Sequence, residues 1–105
     1  MSDWIHVCSL DELEEEEMCL VRVAENPVVV YWTEDGVYAT AGRCTHEQAP
    51  LIDGYLSGTV IECPRHNARF NVCTGKALRR PARDNLETYR TKVEGGEVYV
   101  AAAPG

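Results

Sequence analysis

Val28-Val29-Val30-Tyr31-Trp32-Thr33-Glu34-Asp35-Gly36-Val37-Tyr38-Ala39-Thr40-Ala41 reads as a strand, a turn and a returning strand. Val28 to Thr33 is a run of β-branched and aromatic side chains, the types that fit a pleated, half-buried surface. Glu34-Asp35-Gly36 is a turn, because Asp-Gly favours tight hairpin connections, and Val37 to Ala41 pairs back as the next strand. The same texture recurs outward from this hairpin. Met18 to Val23 alternates, with Met18, Leu20 and Arg22 on one side and Cys19, Val21 and Val23 on the other. Thr88 to Glu94 and Glu97 to Ala101 flank Gly95-Gly96 and read as a second hairpin. Trp4 to Leu10 reads as a short strand, followed by the acidic run Asp11-Glu12-Leu13-Glu14-Glu15-Glu16-Glu17, which is one helical turn or a solvated loop. No segment carries a long helical period, so the expected class is all-β, a sandwich or a small barrel with strands at both ends of the chain.

The 105 residues suit one small domain, and neither repeats nor a dividing linker interrupt them. A formal net charge of −7 argues against nonspecific nucleic-acid binding. No apolar run approaches the length of a membrane span, and Met1-Ser2-Asp3-Trp4 lacks the basic start and apolar stretch of a signal peptide. The expectation is a cytoplasmic protein with no membrane association of its own. Cys8, Cys19, Cys44, Cys63 and Cys73 are odd in number, and a reducing compartment disfavours structural disulfides. They are better read as metal ligands or small buried hydrophobes.

The middle of the chain differs from its ends. From Gly42 to Pro81 it is rich in Gly, Pro, Asn and Thr, with short strands expected at Thr59–Glu62 and Arg69–Val72. Loops of this extent inside a compact domain need a reason, and a bound inorganic cluster supplies one. Two segments carry the donors: Cys44-Thr45-His46 and Cys63-Pro64-Arg65-His66, with sixteen residues between His46 and Cys63. Each offers one thiolate and one imidazole. Two cysteines and two histidines hold a [2Fe–2S] cluster with both thiolates on one iron and both imidazoles on the other. Pro64 stiffens the second loop, and Asn67 tolerates a positive φ where a turn needs one. Zinc takes the same donors, but structural zinc sites favour Cys-x-x-Cys with a separate histidine pair, and here the pairs are mixed. A Cys44–Cys63 disulfide is the remaining alternative. His6, the third histidine, reads as a surface or satisfied residue, and Cys8, Cys19 and Cys73 read as small, partly buried side chains.

Cys-x-His, a spacer and Cys-x-x-His together resemble the Rieske proteins. The likeness extends to Ala49-Pro50-Leu51 with Gly54, to Ala68-Arg69-Phe70-Asn71-Val72 with Thr74-Gly75, and to Pro81, which falls in the family's third, proline-containing loop. It covers roughly Trp4 to Ala101. The resemblance implies one domain over 4–101 with the Rieske fold, an antiparallel β-sandwich base carrying a cluster-binding subdomain of two loops at about 42–81. It implies a single [2Fe–2S] cluster ligated by Cys44, His46, Cys63 and His66. Where the family often has glycine after each ligand histidine, Glu47 and Asn67 stand here.

High-potential Rieske subunits carry an extra cysteine in each cluster loop, and serine and tyrosine hydroxyls beside the cluster. Here the loops read Glu47-Gln48-Ala49 and Asn67-Ala68, and the hydroxyl positions look like Ala68 and Phe70. Fewer donors to sulfur stabilise the reduced state less, which places the expected potential near the low end of the roughly −150 to +300 mV Rieske range. The chain therefore resembles the soluble Rieske ferredoxins of bacterial aromatic-ring-hydroxylating dioxygenases. That implies a monomeric electron carrier, not an enzyme, between a flavoprotein NADH-dependent ferredoxin reductase and a terminal Rieske non-haem iron oxygenase. The alternative is the Rieske-like small subunit of a soluble reductase such as assimilatory nitrite reductase. Charge is segregated: the first seventeen residues hold seven acids and no Lys or Arg, whereas Arg65 to Lys92 holds eight of the ten bases. Arg65, Arg69, Arg79, Arg80 and Arg83 are a candidate basic collar around the second ligand loop.

Overall fold

The computed structural model describes residues 3–45, 48–65, 67–80 and 84–105. Its centre is the opening hairpin, β3 (Asn26–Thr33) and β4 (Gly36–Ala41), paired in the register Thr33↔Gly36 to Val28↔Ala41. Successive side chains of a strand point to opposite faces. On β3 the two faces are both covered: Val28 and Val30 enter one core, while Val29 and Tyr31 enter another, all four with no exposed surface. That is why Val28–Tyr31 is a continuous apolar run and not an alternating one.

The first core lies inside a six-stranded antiparallel sheet ordered β1-β10-β9-β4-β3-β2, where β1 is Trp4–Ser9, β2 Met18–Val23, β9 Thr88–Glu94 and β10 Glu97–Pro104. Cys8, Leu13, Val23, Ala39, Val98 and Val100 fill it. Two turns of this sheet take left-handed backbone at both central residues. Gly95 and Gly96 do so at φ of 60° and 77°, and Ala24 and Glu25 do so without glycine, at 50° and 71°. The β3–β4 turn differs from expectation: Glu34-Asp35 forms the tip, and Gly36 follows it at a φ of 135°. Thr33 Oγ1 braces this turn, accepting from the Asp35 amide at 3.1 Å and donating to the Gly36 carbonyl at 2.8 Å.

The acidic run is a helix, α1 (Leu10–Glu16), not a solvated loop. Ser9 ends β1 one residue earlier than expected and caps the helix, its hydroxyl accepting from the Glu12 amide at 3.1 Å. Asp11 and Glu12 sit in the first turn, where the helix dipole favours acids. Leu13 anchors the helix with no exposed surface, and the Glu17 amide closes it on the Leu13 carbonyl at 2.7 Å.

The second core lies between β3 and a four-stranded antiparallel sheet ordered β5-β6-β7-β8: Tyr55–Ser57, Val60–Glu62, Arg69–Asn71 and Ala77–Arg79. The strands expected at Thr59–Glu62 and Arg69–Val72 are β6 and β7. β5 and β8, three residues each, complete the sheet around them. The inward row Leu56–Ile61–Phe70–Ala77 runs across all four strands, with Ile61 and Phe70 fully buried. Among the described residues, no helix is long and apolar enough to cross a membrane.

Candidate metal centre

Cys44 and Cys63 both lie in this second core, each 1% exposed, beside Ala49, Leu51, Ala68 and Phe70. Neither forms a disulfide. They begin two loops built to one plan. The Cys44 amide donates to the Ala49 carbonyl at 2.8 Å, and the Cys63 amide donates to the Ala68 carbonyl at 2.7 Å. Each bond spans five residues and closes the loop behind its cysteine. In each loop the fourth residue after the cysteine carries the reversal: Gln48 at a φ of 59° and Asn67 at 58°. Outside each closure the chain pairs with itself, Arg43 with Pro50 and Glu62 with Arg69. Leu51 and Phe70, seven residues after their cysteines, are fully buried beneath the loops.

Asn67 thus takes the left-handed backbone expected of it. In the first loop that conformation falls on Gln48, at the same distance from its cysteine. The described parts of the two loops match from the cysteine onward, although the sequence sets histidine two residues after Cys44 and three after Cys63. His46 and His66 lie outside the described residues, as do Glu47, Pro81 and Arg83.

Neighbouring segments fix the loops. Thr45 Oγ1 donates to the Asp84 carbonyl at 2.8 Å, which ties the first loop to the segment before β9. The Leu86 amide donates to the Gly75 carbonyl at 2.7 Å, and the Ala77 amide to Asn85 Oδ1 at 2.9 Å. Gly75 has a φ of 77°, and a side chain there would collide with the Leu86 carbonyl. Gly54, whose amide donates to the Leu51 carbonyl at 2.9 Å, leaves room for the Glu62 carbonyl just before the second loop.

The other sequence candidates stay apart from these loops. His6 Nε2 is 2.6 Å from Glu97 Oε1, with its ring edge-on to Tyr99, so it is a satisfied surface histidine. Cys8 and Cys19 are neighbours at the six-stranded sheet's core. Burial, first, and then Cys19 push the Cys8 thiol up to about 12. Cys73 lies beside the Tyr38 hydroxyl, which donates to the Asp35 carbonyl at 3.3 Å. Spacing alone carried no signal for either contact, because both join residues far apart in the chain. Burial pushes the Tyr31 hydroxyl well above its ordinary range, and it is paired with Thr40 Oγ1 at 2.8 Å. Among the described residues, no three His, Cys, Asp or Glu side chains gather as a metal site. Two buried thiols in one core, each at the head of a matched loop, fit a metal that prefers soft thiolate donors.

Residues 3–90 match the family model of the Rieske [2Fe-2S] domain. The ferredoxin component of a naphthalene 1,2-dioxygenase system from Pseudomonas aeruginosa is 42% identical over 97 residues, 92% of this chain and 93% of that relative. The solved complex of reduced oxygenase and oxidized ferredoxin in carbazole 1,9a-dioxygenase contains a chain with a TM-score of 0.93 and 40% identity, covering 100% of this chain and 98% of that one. The ferredoxin of carbazole 1,9a-dioxygenase from Nocardioides aromaticivorans IC177 gives a TM-score of 0.91 at 33% identity, covering 97% of this chain and 100% of that one.

Proposed function

The chain belongs to the Rieske [2Fe–2S] domain family, and from that premise we propose that it is the ferredoxin of an aromatic-ring-hydroxylating dioxygenase system. It takes electrons one at a time from a flavoprotein NADH-dependent reductase and delivers them to a terminal Rieske non-haem iron oxygenase. The observation that carries this reading is the two-sided coverage. The similarity spans nearly the whole of this chain and nearly the whole of relatives that are themselves named ferredoxin components. The same names favour this assignment over the small subunit of a nitrite reductase.

In this reading residues 4–101 are the domain and about 42–81 the cluster-binding subdomain. Cys44 and Cys63 ligate one iron, and His46 and His66 the other. When bound, the cluster supplies a one-electron iron couple. The chain's own residues do the rest. The two amide-to-carbonyl closures hold the thiolates in place, and Ala49, Leu51, Ala68 and Phe70 keep water from them. With no hydroxyl on Ala68 or Phe70, that side of the site adds no side-chain donor to a sulfur, and the potential stays low. The carrier is a cytoplasmic monomer and not itself a catalyst.

Absorption and electron paramagnetic resonance of the purified protein test the centre: a mixed-ligand [2Fe–2S] signal supports it, and a colourless zinc protein overturns it. His46→Ala and His66→Ala each lose colour and stability. Full cluster retention in both rules out the ligand assignment. In reconstitution with NADH, reductase and oxygenase, product formation depends on this chain, and independence from it defeats the proposed role.

A further inference from the structure

Resting on the carrier reading, we infer that the outer face of the four-stranded sheet is the surface on which this protein docks, and that it fits an acidic rim on the terminal oxygenase. Residues directly opposite on neighbouring antiparallel strands share a face. The register Tyr55↔Glu62 and Glu62↔Arg69 therefore makes one row across β5, β6 and β7, and Arg79 of β8 pairs with Arg69 at the end of that row, where the β7–β8 register shifts. It is the outward counterpart of the inward row Leu56–Ile61–Phe70. Glu62 and Arg69 are the last residues on either side of the second ligand loop, so the row sits at the base of that loop.

The row's chemistry is that of a contact surface. Tyr55 is 72% exposed, although its neighbours on the inward row are buried or half-buried. Exposed Tyr and Arg are the residue types that most often anchor protein interfaces. Arg69 is held by Glu62, Nε to Oε1 at 2.9 Å, which fixes the middle of the row and neutralises it. Arg79, Arg80 and Arg65 are exposed and pair with no acid among the described residues. Two like charges would repel at Arg69↔Arg79 without the Glu62 contact, and the surplus cation left there is Arg79.

The charge of the whole chain sharpens the case. Residues 42–81 hold six Lys or Arg against three Asp or Glu, whereas the remainder holds four against fourteen. A molecule of net charge −7 therefore presents a positive end at the cluster loops and a strongly negative body that includes α1. Such a dipole orients the carrier as it approaches a negative rim and raises the encounter rate with little effect on the bound contacts.

The test reverses Arg79 and Arg80 to Glu, singly and together, in the cluster-loaded protein, and follows reduction of the terminal oxygenase by stopped-flow absorbance across ionic strength. Arg22→Glu, on β2 of the other sheet, is the control for net charge. The double reversal is expected to slow association about tenfold or more at low salt and to converge with wild type at high salt. Tyr55→Ala is expected to slow transfer at every salt concentration, because it removes contact area and not charge. Equal slowing by Arg22→Glu, rates unchanged at low salt, or an effect seen only with the reductase each overturns the surface assignment. If wild type passes no electron to an oxygenase at all, the carrier reading itself fails, which is a different result.

Discussion

The two ligand loops share a closure but not a setting. From cysteine to alanine they are the same device, an amide-to-carbonyl bond across five residues with a left-handed fourth position. Beyond the alanine they diverge. After Ala68 comes Arg69, and pairing continues as β6 and β7 for three residue pairs. After Ala49 comes Pro50, which has no amide hydrogen to extend a ladder, and pairing stops at the single bridge Arg43↔Pro50 before a 3₁₀ turn at Leu51–Asp53. The second loop is therefore the tip of a hairpin. The first is a loop held from outside, by the Thr45–Asp84 bond and by the Gly42 amide on the Pro27 carbonyl. Identical local geometry is reached once through a sheet and once through side-chain and backbone ties.

If the loops are equivalent at the metal, Cys44→Ser and Cys63→Ser have the same, and the largest, effect. Each should abolish the visible absorption and leave a chain that melts far below wild type, because binding and folding of such a site are coupled. Retained colour in one variant but not the other would break the equivalence. A step smaller is Gly54→Ala, where the new Cβ meets the Glu62 carbonyl and forces the exit of the first loop away from the entry of the second. About 1–3 kcal/mol of stability should be lost, the range of overpacked interiors, and a thermal melt at wild-type temperature would show that the two loops do not lean on each other there.

Cys8, in the other core, is a buried thiol set apart from the ligand loops. Cys8 keeps its proton up to about 12 in the fold, against an ordinary value of 9.0. The unfolded chain loses that proton first, so the unfolded state binds fewer protons above pH 9 and stability falls as pH rises from there toward 12. The loss at pH 10 should be about 1 kcal/mol, and Cys8→Ala should flatten the slope between pH 9 and pH 10. A melt measured by far-ultraviolet circular dichroism that shows the same slope in both proteins would remove Cys8 as its cause.

How much of this was legible in the sequence follows from distance along the chain. The two hairpins around Glu34-Asp35-Gly36 and Gly95-Gly96 were readable because strand pattern and turn residues lie within one short window. The paired Cys/His segments were readable because ligand chemistry restricts both residue type and spacing, and the resemblance they carried is the family that residues 3–90 match. β5 and β8 were not, since three residues are too few for a period to show. α1 reads equally as a loop because all five of its acids face solvent. The decisive residues were the Ser9 cap and the single buried Leu13. The left-handed position in the first loop escaped notice because Gln48 carries no compositional sign of it, unlike Asn67.

That last contrast yields the smallest and most discriminating prediction. Gln48 and Asn67 hold nearly the same backbone, at φ of 59° and 58°. A left-handed conformation costs an ordinary L-residue about 1–2 kcal/mol, through contact of Cβ with the following carbonyl, whereas Asn visits it routinely. Glycine pays none of this, though it brings a more mobile unfolded chain that offsets part of the gain. Gln48→Gly should therefore stabilise the cluster-loaded protein by about 0.5–1 kcal/mol, and Asn67→Gly should change it by less than about 0.5 kcal/mol. The measurement is the temperature at which visible absorption is lost, at one scan rate for all three proteins. Both residues are exposed, so neither change disturbs the core. A larger gain at Asn67 than at Gln48 would mean that the first loop relieves its strain through the Thr45–Asp84 tie, and the two loops would then differ in backbone energy as well as in setting.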